Sequence, residues 1–137
     1  MSGFILEELL AALQCSLRKG CKASRLVYAT DLLDMLVPPA DPAASKRMGE
    51  RMNRAYDAER LLTEACDTYD APASDAIKAL LGLVGNHAAP LYQRRRTAGV
   101  FLGVRARTFS KNYEDDLMMD LAAELWRGEG DHHVKCG

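Results

Sequence analysis

The chain has little of several things, and each shortage closes off a class of protein. Its 137 residues include one tryptophan, and aromatic residues make up 7% of the total. No segment shows sustained period-two alternation, which argues against half-buried strands. Four cysteines are present, Cys15, Cys21, Cys66 and Cys136. No C-x-x-C pair occurs among them, so neither a structural zinc site nor a disulfide framework is expected. An excess of charge of one sign is also missing: 18 Lys and Arg stand against 19 Asp and Glu, a formal net charge of −1. A uniformly basic nucleic-acid binder is thereby excluded, whereas a local basic face is not. No apolar run is long enough to span a membrane, since Glu7, Glu8 and Gln14 interrupt the stretch 4–17. Without a signal-peptide pattern, the expectation is cytoplasmic residence with free thiols.

Motifs of catalysis are scarce as well. No glycine-rich phosphate loop occurs, and no Ser or Cys sits in a nucleophile motif. Glu59, Glu64 and Glu124 are single carboxylates on ordinary helical patterns. The tail pattern His132-His133-x-x-Cys136 offers three ligands where a structural metal site wants four. His87 reads as a surface or packing residue rather than a base. The chain is expected to be a non-enzyme with no metal and no cofactor.

What is present is helical periodicity. Leu6, Leu9, Leu10, Leu13 and Leu17 form one stripe, ending in the basic run Arg18-Lys19-Gly20. A second helix is expected from a Ser24 cap to Leu36, with Leu26, Ala29, Leu33 and Leu36 inward and Pro38-Pro39 as the stop. Asp41-Pro42 is a favourable helix start. It introduces the longest pattern, through Met48, Met52, Ala55, Leu62, Cys66 and Tyr69, with a polar middle from Arg54 to Arg60 that permits a break. Asp70-Ala71-Pro72 resets the chain. A shorter helix over Ile77, Leu80, Leu81 and Val84 follows and is expected to end at Gly85-Asn86. Pro90 opens a helix to Leu102, and Gly103 closes it. The run from Ala106 to Arg127 is one helix, or two if Asn112 breaks it and Glu114-Asp115-Asp116 starts the second. Met48, Met52, Met118 and Met119 are either core filling or an adaptable surface. Trp126 either covers the core or sits in a dimer contact. The expected fold is all-α: residues 1–127 form one helical domain, and 128–137 form a flexible tail. Within the domain, 1–89 serve dimerisation or partner binding, and 90–127 carry a helix-turn-helix.

That last expectation rests on the segment from Arg94 to Tyr113. Ala98 and Gly99 are small where two helices would approach, Leu102 is apolar before the turn, and Gly103 suits a left-handed turn position. Val104 can pack beneath the turn, and Phe109 can anchor the second helix. In these residues the chain resembles bacterial helix-turn-helix domains whose centre reads A-x-x-L-G-V-x-x-x-T-h, where h is apolar. Gly99, Leu102-Gly103-Val104 and Thr108-Phe109 stand at those places. It looks closest to actinobacterial helical proteins with an Arg-rich helix, an L-G-V turn, T-F, Y-E and a leucine-rich helix; Tyr113-Glu114 and Leu117 to Leu125 continue the likeness. Two departures stand out. Gly99 replaces the commoner Ala and should weaken the first helix, and Arg105 stands where Ser or Thr often caps the second.

From Leu91 to Tyr113 there are six cations and no acid. A DNA-reading helix places donors in the major groove, and Arg105, Arg107, Ser110 and Lys111 are the candidates. Arg94, Arg95 and Arg96 would suit phosphates, which position a protein without reading sequence. The function expected on this basis is a DNA-binding transcriptional regulator acting as a homodimer. The alternative is a helical adaptor that binds another protein, favoured by the acidic Glu114 to Asp116 stretch and the long N-terminal part.

Overall fold

The leucine stripe near the start winds into α1 (Leu6–Leu17), with Leu9, Leu13 and Leu17 buried. The structure, a computed structural model, describes residues 5–43, 46–85 and 88–136, with side chains as far as residue 128. His87, His132, His133 and Cys136 therefore lie outside the described side chains. Among the described residues every regular element is a helix.

The segment expected as one helix from Ser24 is two: α2 (Ala23–Leu26) and α3 (Thr30–Leu36). Its cap is also not local. Lys22 holds the N-cap position without a side-chain capping bond, and the Glu59 carboxylate of the helix that follows α3 accepts from the Ala23 N–H at 2.7 Å. Leu26, Leu33 and Leu36 are buried as expected, Leu32 joins them, and Ala29 is only half-buried.

Helix α4 (Met48–Cys66) begins later than Asp41-Pro42. Asp41 instead accepts from the Ala43 N–H at 3.0 Å, a local turn. The polar middle of α4 does not break, because Arg54 is turned inward. Its Nε donates to the Val37 carbonyl at 2.8 Å, and its guanidinium pairs with Asp34 at 2.5 Å. Met48 is exposed, Met52 half-buried and Ala55, Ala58, Leu62 and Cys66 buried.

Helix α5 (Ala73–Leu81) ends at Gly82, three residues before the expected stop. The Leu83 N–H reaches back to the Lys78 carbonyl (2.9 Å) and the Gly82 N–H to Ala79 (3.1 Å), the paired bonds of a Schellman end. Val84 is consequently exposed rather than inward. Helices α6 (Leu91–Leu102), α7 (Ala106–Asn112) and α8 (Glu114–Cys136) follow. Of the two alternatives for the last run, one helix or two, the structure has two, divided at Tyr113. The span of α8 takes in the stretch 128–136, expected as a tail.

One cluster of buried residues draws on all eight of these helices, from Leu9 in α1 through Leu62 in α4 and Ile77 in α5 to Phe109 in α7 and Met118 in α8. Helix α8 lies against α1, α4, α5 and α7; α6 is held mainly by α5, and α7 by α6 and α8. The fold is thus an all-helical packed domain in which α7 packs mainly against its sequence neighbours. Of the remaining methionines Met118 is buried and Met119 exposed, and Trp126 is also exposed.

Candidate nucleic-acid interface

Helix α6 carries three arginines in a row, and consecutive residues on an α-helix are turned about 100° from one another. Arg94, Arg95 and Arg96 therefore cannot face one partner together. The fold gives each a different environment.

Arg94 is 3% exposed. Its Nε donates to the Ala89 carbonyl at 3.0 Å, its Nη1 to Leu80 at 2.5 Å, and its Nη2 to Arg18 at 3.0 Å and also to Leu17. Leu17 closes α1, and Leu80 lies in the last turn of α5. One guanidinium thus satisfies carbonyls at the C-terminal ends of two helices, groups that have no partner inside their own helix. Burial pushes its pKa below the usual arginine value. The phosphate role expected of Arg94 is corrected accordingly: its donors are spent inside the molecule, where no external phosphate reaches.

Arg95 is also engaged. Its Nε and Nη2 donate to the two carboxylate oxygens of Glu114 at 2.6 and 2.9 Å, a bidentate pair joining α6 to the first residue of α8. The bond to Glu114 raises the Arg95 pKa above its ordinary value. Glu114 is buried, so its charge is turned away from solvent and matched, while Asp115 and Asp116 remain exposed. Arg95 too was expected at phosphate, and its fork is occupied by this carboxylate. Arg96 alone of the three points outward.

The turn after α6 is built on two glycines with different duties. Gly103 has φ of 73° and ψ of 27°, the left-handed geometry that a Cβ makes costly. The Val104 N–H bonds the Gly99 carbonyl at 2.8 Å and the Gly103 N–H bonds Val100 at 3.1 Å, a second Schellman end. Gly99 is required for a different reason. A Cβ there would lie 2.6 Å from the Val104 carbonyl oxygen, because the turn folds back onto the helix surface. Gly99 therefore does more than weaken α6: the close approach of the turn depends on it.

Beyond the turn, Arg105 occupies the N-cap position of α7 with extended backbone and no side-chain capping bond. Phe109 is the one fully buried residue of α7. Arg105, Arg107 and Lys111 are exposed and Ser110 is half-buried. Arg107 and Lys111, four apart, share one side of the helix. Among the described residues none of Arg96, Arg105, Arg107 and Lys111 forms an ion pair.

The sequence pattern did not reveal the outer side of α6. Tyr92 and Val100 are exposed there, at 70% and 71%, while Phe101, 43% exposed, is turned about 100° from Val100. The spacing Tyr92, Arg96, Val100 is the signal that was available, one stripe at intervals of four.

Elsewhere the titratable groups have structural explanations. Cys21 and Cys66 are buried, and burial pushes both thiols up to about 12, so they stay protonated at neutral pH; Cys15 is exposed. Among the described residues no group of three His, Cys, Asp or Glu is placed to hold a metal ion, and no helix is long and apolar enough to cross a membrane. Compared with known proteins, the chain matches no family model, no curated protein and no solved structure.

Proposed function

We propose that the protein is a DNA-binding transcriptional regulator in which α6, the Gly103 turn and α7 act as a helix-turn-helix. The observation that carries this reading is the state of α7. It gives one side chain, Phe109, to the core, and with its N-cap Arg105 it offers Arg105, Arg107 and Lys111 to solvent without carboxylate partners among the described residues. In this reading Arg105, Arg107, Ser110 and Lys111 meet base edges in the major groove, where arginine is the usual partner of guanine O6 and N7. Arg96 meets a phosphate, and Arg94 and Arg95 brace the motif from inside. The protein would act as a homodimer whose two α7 helices enter successive major grooves about 34 Å apart. Pairing with Arg95 removes Glu114 from the charges a duplex would meet, leaving Asp115 and Asp116 to set the side that faces away.

Duplex binding measured against salt tests the reading. Binding should weaken steeply as salt rises, because each neutralised phosphate releases counterions. The double substitution Arg107→Ala with Lys111→Ala should lower affinity by at least about ten-fold, with a shallower salt slope if either side chain meets phosphate. Failure to bind at low salt, or indifference to that double substitution, would reject it.

The exposed Tyr92 and Val100 favour a second reading, an adaptor that binds another protein through the outer side of α6. A stoichiometric protein partner released by Tyr92→Ala with Val100→Ser, yet indifferent to Arg107→Ala with Lys111→Ala, would select it.

A further inference from the structure

A groove of about 640 Å³ runs between α1 and the α2–α3 segment, bordered by Ala12, Arg18, Lys19, Arg25, Tyr28 and Met35 among others. A continuation of about 490 Å³ passes the same three cations and Tyr28 to reach Ala89 and Pro90. Both volumes fall in the range of small-molecule sites.

The cations are the unusual part. Several other basic side chains in this half of the molecule have work: Lys22 pairs with Glu59, Arg51 donates to the Val27 carbonyl, and Arg54 binds Val37 and Asp34, while the exposed Lys46 and Arg47 stand apart from the groove. Among the described residues Arg18, Lys19 and Arg25 have no ion pair. They are not needed to cap α1 either. The carbonyls of Leu17 and Arg18 already accept from the Arg94 guanidinium, and that of Ser16 accepts from the Gly20 N–H at 2.9 Å. Three unmatched like charges around one concavity repel one another until an anion joins them.

The groove is also polarised. Glu8 borders its wide part, but lies ten residues before Arg18, about 15 Å along α1 at the helical rise. Asp31, in the first turn of α3, sits where a negative charge complements the helix dipole. Among the described residues no carboxylate borders the smaller continuation. Tyr28 stands at the junction with 68% of its surface exposed, an open ring face beside the cations. The Ala12 and Met35 wall is apolar.

We infer that this groove binds a small organic phosphate, its anionic group held by Arg18, Lys19 and Arg25 and its ring body laid against Tyr28 and the Ala12–Met35 wall. Arginine forks match phosphate oxygens in pairs. A duplex carries its phosphates on a convex surface and does not fit a concavity with an apolar wall, so a free ligand is the occupant. This assignment goes beyond the DNA-binding reading and does not depend on it.

The test is a titration of the 15N-labelled full chain, followed by NMR, with AMP and phenyl phosphate, and with adenosine, phenol and inorganic phosphate as comparisons. Both organic phosphates should shift the backbone signals of Lys19, Arg25 and Tyr28, while the uncharged compounds should not. Arg18→Ala and Arg25→Ala should each weaken AMP about ten-fold, the loss of one charge-assisted bond. Tyr28→Ala should weaken AMP and leave inorganic phosphate unchanged. All three side chains are exposed, so thermal melting should match the parent; if an alanine variant unfolds, Lys19→Glu provides the same reading. Arg107→Ala with Lys111→Ala should leave AMP binding unaltered, which keeps the outcome separate from that of the duplex experiment. The inference is overturned if neither organic phosphate binds up to about 10 mM, where affinity is negligible. It is equally overturned if adenosine binds as well as AMP, or if AMP binding is lost with the α7 variant rather than the groove variants.

Discussion

Arg94 and Arg107 carry the same guanidinium, thirteen positions apart, on consecutive helices. The first is buried and bound to four carbonyl oxygens; the second is exposed and, among the described residues, without an ionic partner. What separates them is the backbone around them. Arg94 faces the place where α1 and α5 end and leave carbonyls bare, whereas Arg107 faces the open side of a seven-residue helix held by Phe109. A basic window in a sequence therefore mixes two populations, cations that assemble the fold and cations that can meet a partner.

Substitutions should pull these populations apart by the size of their effect on stability. Arg94→Met should have the largest, about 3–5 kcal/mol, since it leaves several buried carbonyls without a donor. Urea unfolding would measure it. The same variant should speed labelling of the Cys21 thiol, because a destabilised core opens more often and exposes this buried side chain, while labelling of exposed Cys15 should not change. A midpoint within error of the parent would mean that the interior role assigned to Arg94 is wrong. Arg95→Met should cost about 2 kcal/mol, because the buried Glu114 carboxylate loses a bidentate partner. Restoring part of that loss with Glu114→Gln in the same chain would identify the unpaired charge as the cause.

Gly99→Ala should cost about 1–2 kcal/mol, a net of opposing terms. Alanine favours the helix by roughly 0.5–1 kcal/mol, but its Cβ meets the Val104 carbonyl oxygen and forces the turn outward. Thermal melting gives the sign, and a rise in stability would show that the turn yields freely. The smallest effect belongs to Arg107→Ala with Lys111→Ala, which should stay within about 0.5 kcal/mol of the parent, as expected for surface positions. A large loss there would turn α7 from a presenting helix into a structural one and remove the basis of the DNA reading.

Much of this architecture was legible in the chain. The leucine stripe of α1, the glycine closing α6 and the division at Tyr113 all follow from local rules of spacing, backbone freedom and helix-terminal charge. The misreadings share one cause. Ser24 was expected to cap a helix whose N-terminus is capped by Glu59 from 36 residues away, and α4 was expected to weaken where Arg54 binds Val37 and Asp34. Three arginines were grouped as one phosphate-binding set although the helical turn sends them in three directions. Of the groove cations, Arg18 and Lys19 were legible only as the basic end of α1 and Arg25 carried no signal, because nothing local distinguishes a capping lysine or arginine from one whose cap has been taken by another residue.

The sequence by itself determined where helices form and where the backbone must turn, because those choices depend on residues a few positions apart: leucines at helical spacing, Gly103 for a left-handed φ, Phe109 as the anchor of α7. Tertiary structure alone decided which charges are consumed and which remain. An arginine's partner is settled by whichever helix end or carboxylate packing brings within about 3 Å. For Arg94 those partners lie as far as 77 residues back along the chain, at the end of α1.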